Sequence, residues 1–252
     1  MAGSILKGWI AAGADPAGFT AFDPHSGGVP GGVRHVSQPP TEPFDIVLLG
    51  VKPQMLSDLT DDIAKTIKPG TVVISILAGI EIATLDRLFP GGKTVRLMPN
   101  LGVALGKSPL GLYSDALSDE ERNALTRWMN AIGTAEWIDR EADMDLVAAL
   151  AGSGPAYVYR FTDALAVAAH RLGLPQDQAA RMALATVEGA AALAAGAEDD
   201  PGALADKVAS PGGSTREGLN VLDADERLVT LLTEVLEAAR DRNGELARLV
   251  DA

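Results

Sequence analysis

The sequence contains no cysteine and only three histidines. Without a thiol there is no disulfide framework, no thiolate nucleophile and no cysteine-ligated metal. His25, His35 and His170 are too scattered along the chain to suggest a metal cluster. His170 stands just before Gly173 at a predicted helix end, where a capping or packing role is expected. Basic residues are also scarce. The 21 Lys and Arg against 34 Asp and Glu leave a net charge of −13, a poor match to a phosphate backbone, so nucleic acid is not an expected partner. No apolar run approaches the ~20 residues that span a bilayer, and Lys7 breaks the apolar stretch that a signal peptide would need. These features predict a cytoplasmic protein with no membrane partner.

What is present is enough chain, 252 residues, for a large core and two domains. Between Phe19 and Trp137, the runs FTAF, DIVLLGV, TVVISIL, KTVRLM, SPLGLY and AEWID alternate with helical patterns near residues 54 to 67, 81 to 88 and 118 to 131. IVLLGV and TVVISIL are apolar throughout, as strands covered on both faces of a parallel sheet must be. The pattern predicts a doubly wound α/β domain over 1–140. From Glu141 onward the sequence turns alanine-rich and helical, punctuated by Gly173 and Pro175, by Gly196, by Asp200-Pro201 and by SPGG, with Asp225 a candidate cap for the last helix. Residues 141–252 are expected to form an all-helical domain whose smooth apolar faces pack between subunits. The glycine- and proline-rich stretch from His25 to Pro43 has no helical pattern after it and reads as an irregular surface connection.

Ligands of parallel α/β sheets bind at the carboxyl ends of strands. Gly50-Val51-Lys52-Pro53-Gln54, Leu77-Ala78-Gly79 and Met98-Pro99-Asn100 each follow a predicted strand. A glycine there lets a ligand approach the backbone, and Asn100 has the groups to hold a carboxamide; each stretch also fits an ordinary turn. Ser210-Pro211-Gly212-Gly213-Ser214-Thr215 runs into a helix, which suits a nest of backbone N–H groups for a small anion such as a carboxylate. The competing explanation is a capping box made by Ser214 and Glu217. Gly152-Ser153-Gly154-Pro155-Ala156-Tyr157 interrupts a helical pattern and predicts a kink or a close backbone contact.

Taken together, in this order, these motifs resemble those of the pyrroline-5-carboxylate reductases. The family's A-V-K-P-Q is matched by Gly50 to Gln54, its A-A-G by Leu77 to Gly79, its R-x-M-x-N by Arg96 to Asn100, and its S-G-S-G-P-A-Y by Ala151 to Tyr157. Leu204, Asp206 and Val208 then lead into SPGGST. The resemblance implies a Rossmann-like, mainly parallel sheet followed by an all-α dimerisation domain, and reduction of 1-pyrroline-5-carboxylate to L-proline by NADPH or NADH. In the family's manner Ser210, Gly212, Gly213 and Ser214 would hold the substrate carboxylate, and the Thr215 hydroxyl would bond the imine nitrogen and help supply its proton. Met1, Ala2, Asp23, Gly50, Val51, Lys52, Pro53, Leu77, Ala78, Gly79 and Asn100 would meet the cofactor. The substrate loop of one subunit would face the cofactor of its mate in a homodimer or larger assembly.

The sequence departs from the family at Gly50, at Leu101-Gly102 after the Asn, at Ser214, and after FTAFD. At that last place Asp23 would favour NAD by binding the ribose hydroxyls, whereas His25, Ser26 or Arg34 would accommodate the extra phosphate of NADP. The family begins with a strand and a turn close to G-x-G-N-M-A, and MAGSILKGWIAAG aligns from the internal Met-Ala onward. The resemblance thus implies that the first strand and its pyrophosphate-binding turn are missing, through an internal start assignment or a truncation. A catalytically silent homologue keeping the oligomeric scaffold is the first alternative. Another small-acid dehydrogenase is the second, although no Lys stands at the catalytic position of the hydroxyacid dehydrogenases.

Overall fold

The computed structural model of the chain describes residues 1–24 and 28–250, without the side chains of 246–250. Helix α1 (Ala2–Ala11) opens it, followed by β1 (Thr20–Phe22), β2 (Arg34–Val36), β3 (Ile46–Leu49), α2 (Leu56–Ala64), β4 (Val72–Ser75), α3 (Ile82–Leu88) and β5 (Lys93–Met98). Then come β6 (Ser108–Tyr113), α4 (Asp119–Met129), β7 (Gly133–Trp137) and α5 (Met144–Val147). Helices α6 (Gly154–Arg171), α7 (Gln176–Ala195), α8 (Pro201–Lys207), α9 (Ser214–Asp223) and α10 (Arg227–Val250) complete the described chain.

Strands β3 to β7 form one sheet in chain order, parallel at every pair except β5–β6. The apolar runs of the sequence account for this: Val73 and Ile74 on β4 are neighbours in the chain, point to opposite faces, and are both fully buried. Ile74 joins Val95, Leu97, Leu110, Leu112, Leu125 and Met129, so that this face of the sheet is covered by α4 and by α1. Val73 joins Leu49, Leu56, Leu85 and Phe89 on the other face, under α2 and α3. Helix α1 turns Ile5, Gly8 and Trp9 inward, the i, i+3, i+4 stripe of an amphipathic helix. Trp9 stacks on Trp128 with ring centroids 3.8 Å apart, and Gly8 lies so close to Val103, in the 3-10 turn Leu101–Leu105, that an added Cβ would stand 2.3 Å from its carbonyl oxygen.

Strands β1 and β2 pair parallel with each other and form a separate two-stranded sheet. No strand among the described residues joins β1 to β3. Ile46 on β3 is correspondingly 38% exposed although the run IVLL reads as a covered strand. Strand β2 lies within the stretch expected to be irregular. It forms because Arg34, His35 and Val36 find the edge of Thr20, Ala21 and Phe22, a pairing that local sequence does not encode.

Contacts divide the chain into a sheet unit, Met1–Ser153 with the residues from Ala238 onward, and a helical unit, Gly154–Glu237. The segment beyond residue 140 stays with the sheet: the Val147 side chain occupies the space a Cβ on Gly111 would need, and Asn243 Nδ2 donates to the Asp145 carbonyl at 3.2 Å. The kink expected at the Gly-Ser-Gly-Pro stretch takes the form of a π-helical turn at Ala148–Gly152, after which α6 starts at Gly154. In the helical unit α6 packs on α7. His170 Nδ1 lies 2.8 Å from the Leu174 carbonyl and closes α6 as anticipated, and the Asp200 side chain caps α8 through the Ala203 N–H. Asp225 does not cap the last helix. It sits at φ 55° in a tight turn with Glu226, a left-handed conformation that short polar side chains tolerate, and α10 begins beyond it. Among the described residues no helix is long and apolar enough to cross a membrane.

Candidate active site

The strand ends bring three of the sequence motifs to one edge of the sheet unit. Gly50 follows β3, Leu77-Ala78-Gly79 follows β4, and Pro99-Asn100 follows β5, all at carboxyl ends of neighbouring parallel strands. In the second loop Leu77 and Ile80 are sunk into the core while Ala78 stays exposed between them. Gly79 has φ +76°, which a side chain would strain, and the loop backbone is thereby turned outward. Val51 and Pro53 are half-buried and Lys52 is exposed, with Pro53 opening a short 3-10 turn into α2.

The first turn of α1 meets this edge. A Cβ on Gly50 would stand 2.3 Å from the Ala2 Cβ, so the space Gly50 leaves open is filled by α1. The lack of a side chain at Gly50 thus admits the helix terminus beside it. Met1 is the N-cap of α1, no side chain caps the helix, and no acidic residue lies in its first turn. Positive dipole and uncapped N–H groups at the carboxyl edge of a parallel sheet fit a dinucleotide's pyrophosphate.

Asn100 is 8% exposed and largely committed to its own chain. Its Oδ1 accepts the Gly102 N–H at 2.8 Å, its Nδ2 donates to the Ala151 carbonyl at 2.9 Å, and its backbone N–H donates to Ser108 Oγ at 2.9 Å. The residue thus ties the end of β5 to the π-helical turn. At the far side, Asp23 follows β1 half-buried, and its carbonyl lies 2.8 Å from His35 Nε2. Arg34 is engaged by Glu42, whose carboxyl is held below its usual range by its own backbone N–H and by that guanidinium. His25 and Ser26 lie outside the described residues.

The helical unit carries the other motif. Gly213 is the N-cap of α9 and provides no side-chain cap, so the capping box that competed as an explanation of Ser214 and Glu217 does not form. Ser214 is already inside the helix, one position too late to accept from its third N–H. The turn before it closes through the Gly213 N–H to the Ser210 carbonyl at 2.9 Å, with Gly212 at φ +71°. Ser210, Gly212, Ser214 and Thr215 are exposed and Gly213 is half-buried. Arg216 Nη2 reaches Asp206 at 2.7 Å and clasps α8 to α9 on either side of this turn. Asp206 stands in the sequence motif without an evident partner; a cation in the first turn of the following helix is the signal that names it. The result is a helix start with open N–H groups and two adjacent hydroxyls, which can hold a small carboxylate and place a donor beside it.

Comparisons with known proteins agree along the chain. A family model described as pyrroline-5-carboxylate reductase dimerisation matches residues 141–246. The pyrroline-5-carboxylate reductase of Pseudomonas aeruginosa is 34% identical over 256 residues, covering 98% of this chain and 93% of that protein. The solved structure of a pyrroline-5-carboxylate reductase from Coxiella burnetii superposes with a TM-score of 0.87 at 30% identity, over 97% of this chain and 94% of that one. The fold is also that of the Plasmodium falciparum pyrroline carboxylate reductase with NADP bound, at a TM-score of 0.78, 24% identity, and coverage of 97% and 93%.

Proposed function

The chain belongs to the pyrroline-5-carboxylate reductase family, and we propose that it reduces the cyclic imine of 1-pyrroline-5-carboxylate to L-proline with NADPH or NADH. When bound, the reduced nicotinamide supplies the hydride that the imine carbon receives. The chain's own residues bind and orient.

The observation that carries this reading is the open start of α9. A substrate carboxylate needs a fixed anion site, and Gly213 leaves the first N–H groups of α9 without a side-chain cap beside the exposed Ser210 and Ser214 hydroxyls. The exposed Thr215 hydroxyl then stands one residue on, where it donates to the imine nitrogen as that atom becomes an amine. No strongly shifted acid is required, because a cyclic imine is itself basic enough to carry the proton near neutral pH. On the cofactor side, Met1 and Ala2 offer the first turn of α1 to the pyrophosphate. Gly50, Val51, Lys52, Pro53, Leu77, Ala78 and Gly79 line the strand ends, and Asn100 shapes the turn after β5 with one Nδ2 hydrogen still available. Asp23 takes the ribose end. The proposal includes assembly with a second copy through the helical unit and a cytoplasmic location.

Purified protein mixed with 1-pyrroline-5-carboxylate and either reduced nicotinamide is expected to consume the absorbance of the nicotinamide. A folded oligomer inert with both cofactors would instead identify a silent scaffold. Thr215→Ala is expected to lower kcat about 10- to 100-fold, near the lower end of what a positioned proton donor contributes, with the fold intact. Unchanged turnover in that variant removes the role given to Thr215.

A further inference from the structure

Arg96 is out of place in its strand. It lies between fully buried Val95 and nearly fully buried Leu97, and its own side chain is 8% exposed. Its Nη1 donates to Glu141 Oε1 at 2.9 Å, and the same oxygen accepts the Ile82 backbone N–H at 2.7 Å. Ile82 is the first residue of α3, whose own N-cap residue, Glu81, makes no side-chain cap bond. One carboxylate from 59 residues away therefore caps that helix and neutralises the buried guanidinium. Each partner constrains it: a buried guanidinium without its counter-ion and a helix N–H without an acceptor are both costly.

The segment between β4 and α3 is the loop of Leu77, Ala78 and Gly79. Its near end is held locally, since the Leu77 N–H donates to Ser75 Oγ at 3.2 Å, and Ser75 is the register partner of Arg96. Its far end is held by Glu141. We propose that Glu141 is a positioning residue for the cofactor loop, fixing Ala78 and Gly79 against the end of β5 by tying Ile82 to Arg96. The inference rests on the reading above, in which this loop meets a nicotinamide cofactor. It gives a task to a buried ion pair that neither the anion site nor Thr215 uses.

The test compares full-length wild type, Glu141→Ala, Glu141→Gln and Arg96→Lys. Cofactor affinity is measured by fluorescence titration with NADPH and NADH, the KM of each substrate is determined separately, and amide exchange is followed over residues 77 to 82. Glu141→Ala is expected to weaken the cofactor about tenfold, leave the imine KM within about twofold, and speed exchange in the loop, because a displaced loop misplaces one reactant only. Glu141→Gln keeps an acceptor for Ile82 and is expected to recover most of the affinity. Arg96→Lys should shift the same quantities in the same direction by less, which keeps the inference open to refutation if Glu141→Ala does not fold. Wild-type cofactor affinity and exchange in the variants, or equal loss toward both substrates, would overturn it. If wild type binds neither nicotinamide, the functional reading fails, while the exchange comparison still decides whether Glu141 holds the loop.

Discussion

In the sheet unit Ile5, Val73, Ile74, Leu85, Val95, Leu110 and Leu112 have no exposed surface at all. In the helical unit the buried apolar side chains are three alanines, Ala179, Ala183 and Ala209, while Tyr159, Leu172, Leu184 and Leu193 are between 61% and 90% exposed. Both units are built from sequence of ordinary apolar content, but only the first has spent it within one chain. Small residues allow helices to approach closely, and the large ones left outside form the kind of apolar surface that another subunit covers. On the proposed assembly, stability of the sheet unit is a property of the chain, whereas stability of the helical unit is expected to depend on protein concentration.

The sharpest way to break this contrast is to remove a core side chain. Trp9 is 3% exposed and stacks on both Trp128 and Phe19. Trp9→Ala is expected to cost ~3–5 kcal/mol in urea unfolding, by an amount that does not change with protein concentration. A concentration-dependent loss would mean that the sheet unit also leans on a partner.

The same substitution in two helices should next give opposite signs. Replacing glycine by alanine in a helix normally stabilises it by about 0.5–1 kcal/mol. At Gly8 the new Cβ would meet the Val103 carbonyl oxygen at 2.3 Å and the Ile132 Cγ2 at 3.0 Å, so Gly8→Ala is expected to destabilise by about 1–3 kcal/mol. At Gly189 on α7 nothing lies within 4 Å, and Gly189→Ala is expected to raise the thermal midpoint. If it lowers the oligomeric state in sedimentation instead, α7 meets its partner at that residue.

The smallest effect concerns acid. Lys93, hydrogen-bonded to Glu121, together with the Ser118 N–H, holds the Glu121 carboxyl at about 2 from an ordinary 4.5. A carboxyl depressed in the folded state adds stability above its unfolded pKa, and that stability disappears as pH falls toward about 2. Glu121→Gln should lower the neutral-pH midpoint slightly, converge on wild type near pH 2 and so flatten the decline of the sheet unit between pH 4.5 and 2, read by near-ultraviolet circular dichroism.

How much of this was written legibly depends on whether the cause was local. The covered strand β4 could be read because Val73 and Ile74 must both be apolar when both faces are packed, whereas IVLL reads the same way and yet leaves Ile46 exposed. The Asp200 cap, the kink at Gly152 to Pro155 and the end of α6 at Gly173 could be read because each sets its own backbone. Strand β2 could not, since its partner lies across the Gly and Pro stretch. Nor could the failed box at Ser214, where a one-residue shift of the helix start decides which N–H groups are free. Arg96 gave a usable warning, as an arginine inside an apolar strand demands a carboxylate; only the fold identifies that carboxylate as Glu141. The proposed anion site rests on composition and order, whereas the helix terminus occupying the space beside Gly50 needed three dimensions.

All three tryptophans, Trp9, Trp128 and Trp137, belong to the sheet unit, and the first two are face to face at 3.8 Å. Light absorbed at the red edge of the indole band therefore interrogates the sheet unit and is blind to the helical one. Two indoles this close share their excitation, so α1 leaving its seat would show itself as the loss of a paired dichroic signal. The helical unit, with Tyr157 and Tyr159 alone, could melt or dissociate without that signal changing. The chain comes with an optical label on one unit only, and the two can be followed separately in a single cuvette.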